Sequence, residues 1–287
     1  MSALWVGRRA SDTHRRSLPF LVGQDFDGQD FDGMRTRVTD IAVVDGPGQE
    51  LMVSVLDTFT FRAGDRALAL PSGSRKLLAF LALRDRPATR HLVASTLWPG
   101  APPQDAASSL RSALWRLKPT ASAAVIVEDL DLGPHPDVRV DIRESRALAH
   151  RLLDPSNEIL PSDETAAAVA SLSVDLLPGW YDEWVVIENE EWHQLRLHAL
   201  EAMAAHLTWK GRWAEAVIAA LAAIRAEPLR ESAHGALIKV FLAEGNQMEA
   251  LEGFNRYRTM LKSELGIEPT AQLTGLVSDL GRRRSDP

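Results

Sequence analysis

P-Q-D-A-A-S-S-L-R-S-A-L-W-R-L-K, residues 103–118, sets two chemistries on one helix. At about 100° per residue, Ala106, Ala107, Leu110, Ala113, Leu114 and Leu117 fall on one side. Gln104, Asp105, Ser108, Arg111, Ser112, Trp115 and Arg116 fall on the other. The first side fits a core, and the second offers small hydroxyls and two guanidinium groups to a phosphate-rich partner. Pro103 suits the first helical position, where its missing N–H is not needed, and Pro119 predicts a stop directly after Lys118. Trp115 falls at the edge of the polar side, where it can stack on a sugar of a nucleic-acid partner or pack under a neighbouring element, and the cost of exposing an indole favours packing. Taken alone, the segment also reads as an ordinary amphipathic helix with a solvated face, so its surroundings decide.

Upstream, L-M-V-S-V-L from Leu51, F-T-F-R at 59–62 and A-L-A-L at 67–70 alternate as strands, with a turn at Ala63-Gly64-Asp65. A helix is predicted over 74–83, closed near Arg86-Pro87, and a second over 91–98, capped by Thr89 and ended by Trp98, which is expected in the core. Downstream, V-I-V at 125–127 and V-R-V at 138–140 lie either side of the turn-rich E-D-L-D-L-G-P-H-P-D and predict a hairpin. Strands, three helices and a hairpin are the order of a winged helix.

The C-terminal half carries a different signal. G-R-W-A-E-A at 211–216 returns as G-N-Q-M-E-A at 245–250, a spacing of 34 residues, the tetratricopeptide period. Helical patterns at 188–210, 212–226, 230–244 and 247–265, with Pro228 ending a repeat, predict stacked antiparallel pairs. Trp180, Tyr181 and Trp184 precede this solenoid and are expected to glue it to its first helix. The expected fold is therefore mainly α: a winged-helix DNA-binding domain with a small β-sheet and a wing over 51–144, then a tetratricopeptide-like α-helical solenoid over 145–280, with a tail at 281–287.

Length and composition agree with two domains, since 287 residues at 45% apolar and 25% charged allow a core in each. No apolar run approaches the roughly 18 residues that span a bilayer, and Arg8, Arg9, Arg15 and Arg16 lead only to the short patch at 18–22, so no membrane association and a cytoplasmic location are expected. The absence of cysteine excludes disulfides, thiolate catalysis and Cys-ligated zinc. Residues 1–50 repeat Q-D-F-D-G at 24–28 and 29–33 and are expected to form a disordered leader, unless translation starts at Met34 or Met52. The Asp-rich repeat lacks the closing Glu of a calcium loop.

Net charge is −7, but unevenly placed: residues 51–144 carry 12 basic and 10 acidic side chains, whereas residues 145–287 carry 14 and 21. No enzyme, metal or cofactor is expected. The sequence holds no G-x-x-x-x-G-K-[ST] loop, no G-x-S-x-G and no H-E-x-x-H, and His193 and His198 are five apart, a poor spacing for joint ligation on a helix.

S-R-K-L-L-A-F-L-A-L at 74–83, T-L-W-P at 96–99, A-A-S-S-L-R-S-A-L-W-R-L-K at 106–118 and D-V-R-V-D-I-R-E at 137–144 together resemble the OmpR-like winged helix of the SARP-type bacterial regulators. D-L-L-P-G-W-Y-D-E-W at 175–184, R-L-H-A-L-E at 196–201, A-E-P-L-R-E-S-A-H at 226–234, A-E-G-N at 243–246 and E-L-G-I-E-P-T at 264–270 resemble the bacterial transcriptional activation domain that accompanies it. The resemblance covers about residues 51–280 and implies a transcriptional activator that binds direct repeats in double-stranded promoter DNA, as a homodimer at least on DNA, and helps recruit RNA polymerase. It also implies that the third helix enters the major groove and the hairpin runs along the backbone as a wing.

Within that reading Arg111 and Arg116 are candidates to fork onto guanine or to clamp phosphate, and either can take either role. Ser108, Ser109 and Ser112 are short donors that let the backbone approach the groove. Lys118, Arg139 and Arg143 are candidate phosphate contacts. The hairpin departs from the family pattern: Glu128, Asp129, Asp131 and Asp137 crowd it, with only His135 and Arg139 to offset them, and phosphate repels acid. Its tip is therefore expected either to face away from DNA or to leave binding dependent on dimerisation. The alternative function is a protein–protein scaffold whose winged helix no longer binds DNA; the acidic solenoid surface suits a basic protein partner. A small-molecule sensor, the third possibility, has no specific residues to carry it.

Overall fold

A computed structural model describes residues 50–117 and 119–282, with side chains through Ser278. The leader expected over 1–50 lies outside the described residues except for Glu50, and so do Lys118 and the tail beyond Arg282.

The first strands are β1 (Leu51–Ser54), β2 (Thr60–Ala63) and β3 (Arg66–Ala67), which pair antiparallel in sequence order, with Gly64 at φ 54° making the tight turn. Then follow α1 (Ser72–Ala82), β4 (Ala88–Thr89), α2 (Arg90–Leu97), α3 (Pro103–Trp115), α4 (Pro119–Ser122), β5 (Val125–Glu128), β6 (Asp131–Pro134), β7 (Arg139–Val140) and α5 (Asp141–Leu153). Thr89 caps α2 as its sequence predicts, with its hydroxyl accepting the Leu92 N–H at 3.2 Å.

Two expectations need correction. Helix α3 ends at Trp115 rather than after Lys118, and Pro119 opens a further short helix rather than only stopping one. The helix closes because the Leu117 N–H turns back to the Leu114 carbonyl, three residues away, and proline is at home at a helix start. The hairpin is also composed differently. Strand β5 pairs with β6 across the two-residue turn Asp129-Leu130, with Asp129 at φ 42°, and β4 joins on the far side of β6. Strand β7, sequence-assigned to the hairpin, instead leaves it through Pro134-His135-Pro136 and pairs parallel with β1, Val140 opposite Val53. β-branched composition identifies a strand but not its partner.

One core runs under both halves. Phe61, Leu77, Phe80, Leu81, Val93, Leu97, Leu110, Leu132 and Ile142 fill the winged helix. Asp141 closes the open end of β1, where its carboxylate accepts the N–H groups of Val55 (2.9 Å) and Leu56 (3.1 Å). Burial pushes its pKa up, and these backbone donors oppose the shift.

A 3-10 turn (Pro161–Glu164) and α6 (Ala166–Leu172) lead into the helical stack α7 (Glu183–Trp209), α8 (Trp213–Ala226), α9 (Glu231–Glu244), α10 (Gln247–Leu265) and α11 (Ala271–Arg282). Gly211 and Gly245, one repeat apart, both take left-handed backbone, φ 71° and 92°, at the ends of α7 and α9. That shared requirement is the physical content of the repeated glycine.

The aromatic cluster joins different parts from those expected. Trp184 is buried with its ring edge-on to Phe80 of α1 at 5.5 Å between centroids, and Trp180 meets Phe59 at 6.2 Å, while Tyr181 is exposed and takes no part. The Arg75 guanidinium stands 5.7 Å from the Trp180 ring centroid, and Lys76–Asp182 (2.6 Å) and Arg146–Glu188 (2.7 Å) are ion pairs beside the cluster. These residues fasten the winged helix to the first turns of α7.

Glu164 anchors the turn before α6 to the end of α7. Its carboxylate meets Lys210, lies 2.8 Å from His206 Nε2 and accepts from Arg212 Nη1 at 2.7 Å. The Lys210 and His206 contacts hold its pKa at about 2, below the ordinary 4.5. A folded-state pKa below the unfolded one stabilises the protein above about 4.5, and that contribution is lost as pH falls toward 2. Thermal unfolding followed between pH 5 and pH 2.5 should show a smaller acid loss for Glu164→Gln than for the unaltered protein.

Candidate nucleic-acid interface

Helix α3 is held by its small and apolar residues. Ala106, Leu110 and Ala113 are buried, as is Leu117 just past the helix. Gly73 of α1 lies so close that an added Cβ would sit 3.6 Å from the Ala113 Cβ and 3.7 Å from the Trp98 ring. Beside it, the fully buried Ser74 donates its hydroxyl to the Ala113 carbonyl at 2.8 Å. Carbonyls in a helix's last turn lack intrahelical partners, so Ser74 both satisfies one and fixes α3 on α1. Ser74→Ala should cost about 1–2 kcal/mol in denaturant unfolding, because it leaves that buried acceptor unmet.

The opposite side of α3 faces solvent. Ser108, Arg111, Ser112 and Arg116 are all exposed on it, together with Gln104 and Asp105. Among the described residues, neither Arg111 nor Arg116 makes an ion pair. Between α3 and the start of α1 lies a cleft of about 370 Å³ bordered by Pro71, Gly73, Ser108, Ser112 and Arg116. Pro71 gives α1 no side-chain cap, and the start of that helix, two exposed serines and an arginine line one recess, residue types suited to an anionic oxygen.

The other sequence candidates have different surroundings. Arg139 sits on β7 with its guanidinium forked onto Glu144 (2.8 and 3.0 Å) and its third nitrogen on Glu50 (2.9 Å). The two carboxylates raise its pKa further and match its charge. Arg143 donates to the Arg84 carbonyl at 2.6 Å and ties α5 to the end of α1; burial lowers its pKa. Lys118 lies outside the described residues. The hairpin tip presents Glu128, Asp129 and Leu130 to solvent, so its acidity is a surface property.

Trp115 overturns its expectation. It is 85% exposed and packs under nothing. The helical angles explain why: Ser108, Arg111, Ser112 and Trp115 are spaced i, i+3, i+4, i+7, which puts the indole on the centre line of the polar face rather than at its edge. That angle was available in the sequence, where the general cost of exposing indole outweighed it.

Among the described residues no cluster of three or more His, Asp or Glu is placed to hold a metal ion, and no helix is long and apolar enough to cross a membrane.

Residues 144–280 match the family described as the bacterial transcriptional activator domain. The regulatory protein AfsR of Streptomyces coelicolor is 29% identical over 239 residues, which covers 75% of this chain and 22% of that protein. Its counterpart in Streptomyces griseus is 30% identical over 225 residues, covering 72% and 22%. The chain thus spans about a fifth of the length of these relatives. The structure of Mycobacterium tuberculosis EmbR in complex with a low-affinity phosphopeptide superimposes with a TM-score of 0.62 at 21% identity, covering 82% of this chain and 66% of that one, a likeness of fold.

Proposed function

This chain has the domain composition of a SARP-type transcriptional regulator, a winged helix followed by a bacterial transcriptional activator domain, and from that premise we propose that it is a sequence-specific DNA-binding activator. The winged helix, assigned to residues 51–144, places α3 in the major groove. Arg111 and Arg116 read guanine or clamp phosphate, Ser108 and Ser112 donate to nearby backbone oxygens, and Lys118, just past α3, adds a phosphate contact. Arg139, engaged with Glu50 and Glu144, is left to hold its strand.

The observation that carries the reading is the solvent-facing stripe of α3. Two arginines stand on it without an ionic partner among the described residues, on a helix whose other side is locked into the core. A groove-binding helix needs that arrangement, with cations free for phosphate and guanine on one side and a locked core on the other. In this reading the domain at 145–280 supports dimerisation or contact with RNA polymerase. Two copies about one helical turn apart on direct repeats present their α3 helices to the same side of the duplex.

Selection of sheared DNA from the source genome with purified protein tests the proposal. Repeated enrichment of a motif with two half-sites supports it. Uniform or absent enrichment instead makes the helical domain the functional end and supports the second reading, a protein-binding scaffold, which the exposed acids of the hairpin tip favour.

A further inference from the structure

From Ser108 to Arg116, every exposed residue of α3 is polar except one. Ala106, Leu110 and Ala113 of this helix are buried and Leu114 is half-buried, yet Trp115, the largest apolar group it carries, is 85% exposed. Among the described residues no aromatic ring and no guanidinium packs on the indole. The core-facing side of the helix is filled without it, since Ala106, Leu110 and Ala113, and Leu117 just past the helix, are buried. Arg111 lies one turn before Trp115 and Arg116 directly after it, so a flat apolar surface is bracketed by two cations. A nucleotide has the complementary surface: anionic oxygens for the flanks and an apolar edge for the middle.

We propose that Trp115 is a DNA-contacting residue that seats its ring on the apolar edge of a nucleotide, either the C5 methyl of a thymine or the carbon face of a deoxyribose. The inference rests on the DNA reading of α3 and adds a contact that does not depend on charge. Phosphate contacts release counterions and steepen the salt dependence of binding, whereas an apolar contact adds affinity at every salt concentration. Trp115 therefore leaves a signature that the arginines cannot mimic.

The test titrates the duplex enriched by the unaltered protein with that protein, Trp115→Ala and Trp115→Phe, each at several salt concentrations. Trp115→Ala should bind about tenfold more weakly or worse, with the slope of log K against log salt unchanged, and Trp115→Phe should keep most of the affinity. Unfolding temperatures should match, because the ring supports nothing in the fold. Replacing thymines by deoxyuridine one at a time then separates the two nucleotide edges. If the contact is a thymine methyl, one replacement weakens the unaltered protein and leaves Trp115→Ala unaffected. If it is deoxyribose, no replacement matters and the loss in Trp115→Ala persists. Equal binding by Trp115→Ala and the unaltered protein, or a flattened salt slope in Trp115→Ala, overturns the inference while the DNA reading stands. Failure of the unaltered protein to enrich any duplex overturns both.

Discussion

Replacing Arg111 and Arg116 together by alanine is expected to weaken binding to the selected duplex by about a hundredfold or more and to reduce the salt slope by about one for each of the two that clamps phosphate. A bidentate guanine contact contributes about 1–3 kcal/mol, and each lost phosphate contact removes about one counterion from the slope. Both side chains are exposed and make no ion pair among the described residues, so the double variant should fold with unchanged stability. The single variants separate the roles. Loss of a base-reading arginine relaxes preference at one base pair, whereas loss of a phosphate clamp weakens all sequences evenly. Arg139→Ala is the internal control: with its charge matched by Glu50 and Glu144, its removal should leave both affinity and slope close to those of the unaltered protein. A double variant that keeps both the full affinity and the full salt slope would mean that α3 does not face DNA, and the DNA reading would fail.

The sequence showed the docked helix because the information was local. Ala106, Leu110 and Ala113 recur at helical spacing, and the 34-residue return of Gly211 at Gly245 reports a backbone angle that any sequence must meet at that turn. What it hid was non-local. Nothing near Val140 says that its strand will pair with β1, and nothing near Arg139 reveals Glu50, 89 residues earlier, although Glu144 five residues on was visible. Trp184 and Trp180 likewise find Phe80 and Phe59 across more than a hundred residues of chain. The misplacement of Trp115 differs in kind. Its angle was local and legible, but an average preference for burying indole took precedence over it, and such preferences fail where a surface is built to bind.

Trp184→Ala is expected to be the most destabilising of these substitutions. The indole is 7% exposed and fills the space between Phe80 and Trp180, so its removal leaves a cavity in the joint between the halves. Core tryptophan-to-alanine changes cost about 3–5 kcal/mol, which for a protein of this size lowers the unfolding temperature by roughly 10 °C. Among the described residues its indole N–H has no partner, so the loss leaves no acceptor unmet and is one of packing. The consequences for function follow from where the contact lies. Helix α1 bears Phe80 toward α7 and Ser74 toward α3, and the second of these attachments does not involve Trp184. Urea unfolding of Trp184→Ala should therefore show the two halves melting less cooperatively, while below the transition the folded protein binds its duplex within about twofold of normal. A single transition at nearly unchanged midpoint would place the joint elsewhere, on the Lys76–Asp182 and Arg146–Glu188 ion pairs. Those pairs are partly exposed, and pairs of that kind contribute no more than about 1 kcal/mol each, so the aromatic contact outweighs them, beside main-chain bonds from Leu177 to Val55 and from Asp57 to Asp175.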